Sequence, residues 1–111
     1  MATKKTSKPR SVSHDEGLHQ SLKDDPELAQ AYLNVALEDD DPAAFLIAVK
    51  HVAAAYGLSM AEVATVAGLS REHVYELLSG KGNPKWSNIR AILKVLGVHL
   101  EVRLDSTTTP A

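Results

Sequence analysis

The spacing of one alanine, one glycine and one valine constrains this chain more than any other feature. Ala64 and Gly68 are four residues apart, and Val74 follows within the same stretch, MAEVATVAGLSREHVYELLS. Two helices joined by a three- or four-residue turn pack closely beside that turn, which requires a small residue such as Ala64. Gly68 can adopt the left-handed conformation of the turn at little cost. The pattern therefore predicts two short helices that form a compact pair.

The second helix of this pair is predicted to have a buried and a polar face. The apolar positions of the pair, expected in the core, are Val63, Ala67, Leu69, Val74 and Leu77. The polar face is free to enter a DNA major groove and consists of Arg71, Glu72, Tyr75, Glu76 and Ser79; Ser70, the cap of this helix, is a further DNA-binding candidate. Arg71 suits a bidentate contact to guanine, whereas Glu72 and Glu76 can accept from cytosine N4 but repel phosphates.

Four further residues follow the predicted pair and are candidates for phosphate contacts. They are Lys81, Asn83, Lys85 and Ser87. Such contacts would position a duplex without specifying its sequence. Two alternatives stay open: the pair is an ordinary helical hairpin whose glycine only stops a helix, and the polar residues are only solvated.

Capping residues divide the rest of the chain into helices. Asp25-Pro26 and Asp41-Pro42 each combine an N-cap with a proline at the first helical position. Ser59 and Glu62 have the spacing of a capping box. The predicted helices are Pro26 to Glu38, Pro42 to Tyr56, Ser59 to Ala67, Ser70 to Gly80 and Trp86 to Leu96.

The C-terminal segment has a different period. Val98, Leu100, Val102 and Leu104 alternate with polar residues, which predicts a β-strand with one buried face. No second strand is predicted, so this one lies on the helices or pairs with its copy in a homodimer. The expected fold is all-α, a five-helix domain over residues 16–105 with this strand. A disordered basic leader (1–15) and a disordered tail (106–111) flank it.

The charge is unevenly distributed, although the net charge is only −2. Residues 14–50 carry nine acidic residues and two lysines, whereas residues 51–104 carry six basic and four acidic residues. Two surfaces with different partners would explain the asymmetry, and so would an acidic solvated face. The leader, with Lys4, Lys5, Lys8 and Arg10, is either an arm that binds DNA or a solubilising tail.

Composition and motifs argue against several classes of protein. Cysteine is absent, which excludes disulfides and thiol chemistry. The five histidines show no HExxH or similar ligand spacing, and no phosphate-binding loop is present. No apolar run reaches the length of a membrane span, and the basic start lacks the apolar stretch of a secretory signal. We therefore expect a cytoplasmic protein that is not an enzyme and uses no metal or cofactor.

Three stretches resemble a known family. YLNVALEDDDPAAFLIAVKHVA, AGLSREHVYELLSGKGNP and IRAILKVLGVHLEV are similar to the addiction-module antidote proteins, HigA-like antitoxins of bacteria with a lambda-repressor/Cro-like helix-turn-helix. The resemblance covers about residues 24–104. It implies direct binding of a RelE- or ParE-like toxin and repression of the shared operon at a double-stranded DNA operator. The alternatives are a stand-alone phage-like regulator and a toxin-binding module that has lost its DNA affinity.

The resemblance suggests a role for the acidic half of the chain. RelE-like toxins are basic because they handle RNA, so an acidic partner surface is complementary to them. The hypothesis is that the region from Leu22 to Asp41 contacts the toxin through Asp39 and Asp40, with Tyr32 as an anchor. The alternative is that Tyr32 belongs to the core and the acidic residues only cap helices.

Overall fold

The computed structural model describes the backbone of residues 10–105 and the side chains of residues 17–105. This part of the chain is all-helical and contains no strand. Its helices are α1 (Arg10–Asp24), α2 (Pro26–Leu37), α3 (Pro42–Ala55), α4 (Met60–Ala67), α5 (Arg71–Leu78) and α6 (Trp86–Leu96). The all-α class is confirmed, but the described chain has six helices rather than five.

Local side-chain chemistry sets the beginnings of the middle helices. Asp25 accepts hydrogen bonds from the backbone N–H groups of Glu27 and Leu28, and Pro26 is the first residue of α2. Asp41 caps α3 in the same way, through the N–H of Ala43. Each cap satisfies donors that have no partner inside the helix.

The predicted capping box forms at the start of α4. The Ser59 hydroxyl accepts from the N–H of Glu62 at 3.1 Å, and the Glu62 carboxylate accepts from the N–H of Ser59 at 2.9 Å. The pKa of the Glu62 carboxyl lies below its usual value. The main cause is its hydrogen bond with the backbone N–H of Ser59, and the Ser59 hydroxyl makes a smaller contribution. Ser59 therefore fixes where α4 begins.

Helix α3 lies between two apolar clusters. On one side it packs with α4, α5 and α6; the buried residues there are Phe45, Leu46, Val49, Val63, Ala64, Val74, Leu77, Leu78, Ile92 and Leu93. On the other side it packs with α1 and α2; the buried residues there are Leu22, Ala29, Val52 and Ala55. Leu33 of α2 contacts both clusters. Burial of these side chains is the main source of stability in such a fold.

Helix α1 is the element that the sequence analysis missed, and it begins inside the range expected as a leader. Its sequence, RSVSHDEGLHQSLKD, is mostly polar. Leu22 is fully buried and Leu18 packs beside it on the second cluster. Tertiary contact therefore stabilises a helix whose own pattern is weak. The remaining leader residues, 1–9, and the predicted tail, 106–111, lie outside the described residues.

The predicted strand from Val98 to Leu104 is wrong. Residues 98–105 have no regular secondary structure. Val98 packs against the first cluster and donates its N–H to the Leu93 carbonyl at 2.9 Å, as in a helix terminus closed by glycine. Alternating apolar residues favour an extended segment, but a strand also needs a hydrogen-bonding neighbour, and residues 10–105 supply none.

Neither a membrane span nor a metal cluster is evident in the described residues. No single helix there is long and apolar enough to cross a bilayer; α3 and α4 reach that length only together, across a bend of 108°. No group of three or more histidine or acidic side chains among the described residues is arranged to hold a metal ion.

Candidate nucleic-acid interface

The α4–α5 pair has the geometry that its sequence predicts. Ala64 is buried, and its carbonyl accepts the N–H of Leu69 at 3.0 Å. Gly68 closes α4 with a φ of 76°, in the left-handed region that side chains disfavour. The hydroxyl of Ser70 then accepts from the N–H of His73 and begins α5. Gly68, Leu69 and Ser70 therefore form a three-residue turn between the two helices.

Helix α5 divides into the two predicted faces. Val74, Leu77 and Leu78 are buried against the first cluster. The residues on the solvent side are Arg71, Glu72, Tyr75 and Glu76. At 3.6 residues per turn, Glu72 and Glu76 lie opposite the buried residues, with Arg71 and Tyr75 beside them. The centre of this exposed face is therefore acidic, and its cationic group lies at one edge.

Arg71 is held by an aromatic neighbour. Its guanidinium carbon lies 5.9 Å from the centre of the Tyr75 ring, one helical turn away, and 49% of the Tyr75 surface is exposed. A cation at this distance from a ring face is attracted by it. Tyr75 thereby restricts the side-chain freedom of Arg71 at the start of α5.

The loop after α5 presents the other predicted contact residues. Lys81, Asn83, Lys85 and Ser87 are all exposed. Lys81 and Asn83 line an open cleft of about 130 Å³, together with His73, Glu76, Leu77, Gly82 and Pro84. This cleft lies between α5 and the loop, so Glu76, Lys81 and Asn83 are brought to one surface.

The sequence analysis did not single out His73 of α5 or Asn88 of α6, which meet beside the cleft. The Asn88 amide nitrogen lies 3.5 Å from His73 Nε2, which links α6 to α5 beside the cleft. Local spacing could not reveal this pair, because the two residues are fifteen positions apart and meet only through helix packing.

The residues expected to bind a toxin are not gathered into one site. Asp39 and Asp40 are exposed in the turn between α2 and α3, where Asp39 accepts from the N–H of Asp41 at 2.8 Å. Tyr32 is half-buried beside the second cluster, with its ring edge toward His51 at 6.5 Å. Burial raises the pKa of the Tyr32 phenol. Tyr32 thus packs beside the second cluster, and its role in toxin binding stays a prediction.

The residues expected to form a dimer contact are mostly exposed. Leu100, Val102 and Leu104 have 39%, 92% and 83% of their surfaces accessible, and only Val98 packs on the core. An apolar row of this kind on the surface is typical of an interaction site.

Comparison with known proteins identifies the family of this chain. A family model described as "Probable addiction module antidote protein" matches residues 16–104. A protein of Haemophilus influenzae described as uncharacterized is 36% identical over 74 residues, which are 67% of this chain and 74% of that protein. No solved structure matches the chain. The family model covers α2 to α6 entirely and the second half of α1. The chain therefore belongs to the family of probable addiction module antidote proteins.

Proposed function

We propose that this protein is an antitoxin that neutralises a RelE- or ParE-like toxin by direct binding and represses its own operon as a DNA-binding homodimer. The α4–α5 pair is the helix-turn-helix, and α5 is the helix that enters the major groove. Family membership supports the antitoxin part of the proposal. Neutralisation by binding and repression by binding both need complementary surfaces and no catalysis.

The observation that carries the DNA-binding part is the position of Arg71. It lies at the first turn of α5, exposed, with its guanidinium over the Tyr75 ring. The first turn of a recognition helix is the part that reaches base edges, and a bidentate arginine there reads guanine O6 and N7. The exposed Lys81 and Lys85 would contact phosphates on either side of the groove.

We expect Arg71→Ala to weaken binding to the operator by about 10- to 100-fold, as the loss of one bidentate base contact predicts. The measurement is a gel-shift with the promoter that precedes the chain's own gene, repeated at several salt concentrations. Tyr75→Phe keeps the ring beneath Arg71 and should bind nearly as well as the wild type, whereas Tyr75→Ala should bind less well. Lys50→Ala, an exposed cation on α3, is the control.

Each outcome of this experiment has a distinct meaning. Equal weakening by Arg71→Ala on operator and unrelated DNA would contradict base reading, because a phosphate contact acts on every sequence. A wild-type protein that binds neither duplex at low salt would contradict the repressor role altogether. A steep salt dependence of the wild-type affinity is expected whether Arg71 contacts a base or a phosphate.

The homodimer is proposed to form through the exposed apolar side chains after α6. A two-fold dimer places two recognition helices about one DNA turn, roughly 34 Å, apart. We expect the triple variant Leu100→Ser/Val102→Ser/Leu104→Ser to be monomeric in sedimentation equilibrium at concentrations where the wild type is dimeric. Val66→Ser, a similarly exposed valine on α4, should stay dimeric. A dimeric triple variant would refute this interface.

A second candidate function is a toxin-binding module without DNA affinity. The acidic centre of the α5 face, formed by Glu72 and Glu76, favours it because carboxylates repel the phosphate backbone. The gel-shift separates it from the repressor. A stand-alone phage-like regulator is the third, and the absence of a toxin gene next to this one would favour it.

A further inference from the structure

Helix α2 carries an apolar stripe on its solvent side. Leu28, Ala31 and Val35 are spaced by three and four residues, so they lie on one side of the helix. All three are exposed, and Val35 has 71% of its surface accessible. Ala29 and Leu33, on the other side of the helix, pack on the core clusters.

Two carboxylates accompany the stripe, one at each end. Glu27 and Glu38 are eleven residues apart, about three helical turns, so both lie on the same side of α2, at the edge of the stripe. Both are exposed. Glu38 is the C-terminal capping residue of α2, where the helix dipole disfavours a negative charge. The capping role of Asp25 and Asp41 therefore does not extend to Glu38.

We propose that Leu28, Ala31 and Val35, flanked by Glu27 and Glu38, form the surface on which the toxin docks. The inference rests on the proposed antitoxin function and places its protein-binding site. The complementary partner is a basic protein with an apolar groove bordered by lysine or arginine side chains. An amphipathic helix fits such a groove through anchors at positions i, i+3 and i+7, which is the spacing of the α2 stripe.

Charge argues against a second copy of this chain as the occupant. Two copies placed face to face on α2 would bring Glu27 and Glu38 of each beside the same residues of the other. Like charges across an interface cost affinity and disfavour the wrong partner. A basic partner removes that cost and is also steered toward the surface during encounter.

The test uses a matched pair of valines. Val35 and Val66 are exposed to almost the same extent, 71% and 70%, on different helices. The binding probe is the purified product of the gene next to this one, and affinity is measured by titration calorimetry. Val35→Asp is expected to weaken binding by about tenfold or more, since a charge enters the apolar contact. Val66→Asp should leave the affinity unchanged, and circular dichroism checks that both variants are folded.

The charge of the surface is tested separately. Glu27→Lys/Glu38→Lys should slow association and reduce its dependence on salt, because steering by rim charges acts on the association rate. Ala54→Lys, which adds a cation at an exposed position of α3, is the control for a change of net charge elsewhere. Full affinity and unaltered association for both the Val35 and the double glutamate variants would overturn the α2 surface while leaving the antitoxin role intact. Failure of the wild type to bind the probe would overturn both.

Discussion

Replacing Gly80 with alanine is expected to lower the free energy of unfolding by about 2–4 kcal/mol. Gly80 ends α5 with a φ of +79°, a conformation that an L side chain adopts only with strain. A Cβ at this position would lie 2.6 Å from Ala43 Cβ and 3.3 Å from Ala43 Cα. Neither atom can move away alone, so α3 and α5 would have to separate.

Gly57→Ala separates the two contributions in this prediction. Gly57 has nearly the same φ, +77°, but no atom lies within 4 Å of the position its Cβ would take. Gly57→Ala should therefore lower the free energy of unfolding only by the cost of the backbone conformation, about 1–2 kcal/mol. Urea unfolding followed by circular dichroism measures both variants. Equal losses for Gly80→Ala and Gly57→Ala would show that the close approach of Gly80 to Ala43 contributes nothing to stability.

Neutralising both glutamates of the α5 face is expected to change DNA binding in two directions. Glu72→Gln/Glu76→Gln should bind unrelated duplexes more tightly, because two charges that repel phosphates are removed. The ratio of operator to unrelated affinity should fall by about 10- to 100-fold if these carboxylates accept from cytosine N4 in the operator. Competitive gel-shifts with the two duplexes measure the ratio directly.

The control for this double variant is Glu27→Gln, an exposed acid on α2 that changes the net charge without altering α5. It should leave both affinities nearly unchanged. A rise in both affinities of the double variant with a constant ratio would mean that the carboxylates only repel DNA. In that case specificity would have to come from Arg71 and the other polar residues of α5.

The helices that could be predicted are those whose ends are encoded locally. Asp25, Asp41, Ser59 and Ser70 each cap a helix that begins within one residue of its predicted start. Gly97 closes α6 in the left-handed conformation, as expected. Caps and closures depend on a few neighbouring residues, so they can be read from short stretches of sequence.

The elements that could not be predicted depend on contacts between distant residues. Helix α1 becomes visible only when Leu22 is placed against Val52 and Ala55. The C-terminal segment has the alternation of a strand, but whether it forms one depends on a hydrogen-bonding neighbour outside its own sequence. The spacing of apolar residues indicates which of them share a face. It does not indicate which part of the protein packs against that face.

The candidate DNA-binding and toxin-binding residues divide in the same way. The contact between Arg71 and the Tyr75 ring follows from their separation of four residues within one helix. The contact between His73 and Asn88, and the burial of Tyr32, required the packing of separate helices. Spacing therefore proposes which polar residues lie together on one helix, whereas tertiary structure decides which of them stay accessible.

Helix α3 has a consequence for how the molecule comes apart. One side of it supplies Phe45, Leu46 and Val49 to the first cluster, and its last turns supply Val52 and Ala55 to the second. Melting α3 exposes both clusters at once, so the loss of this helix removes the packing of both halves. The α2 stripe and the α5 face therefore belong to one cooperative unit, and slow hydrogen exchange should end in both through the same global opening.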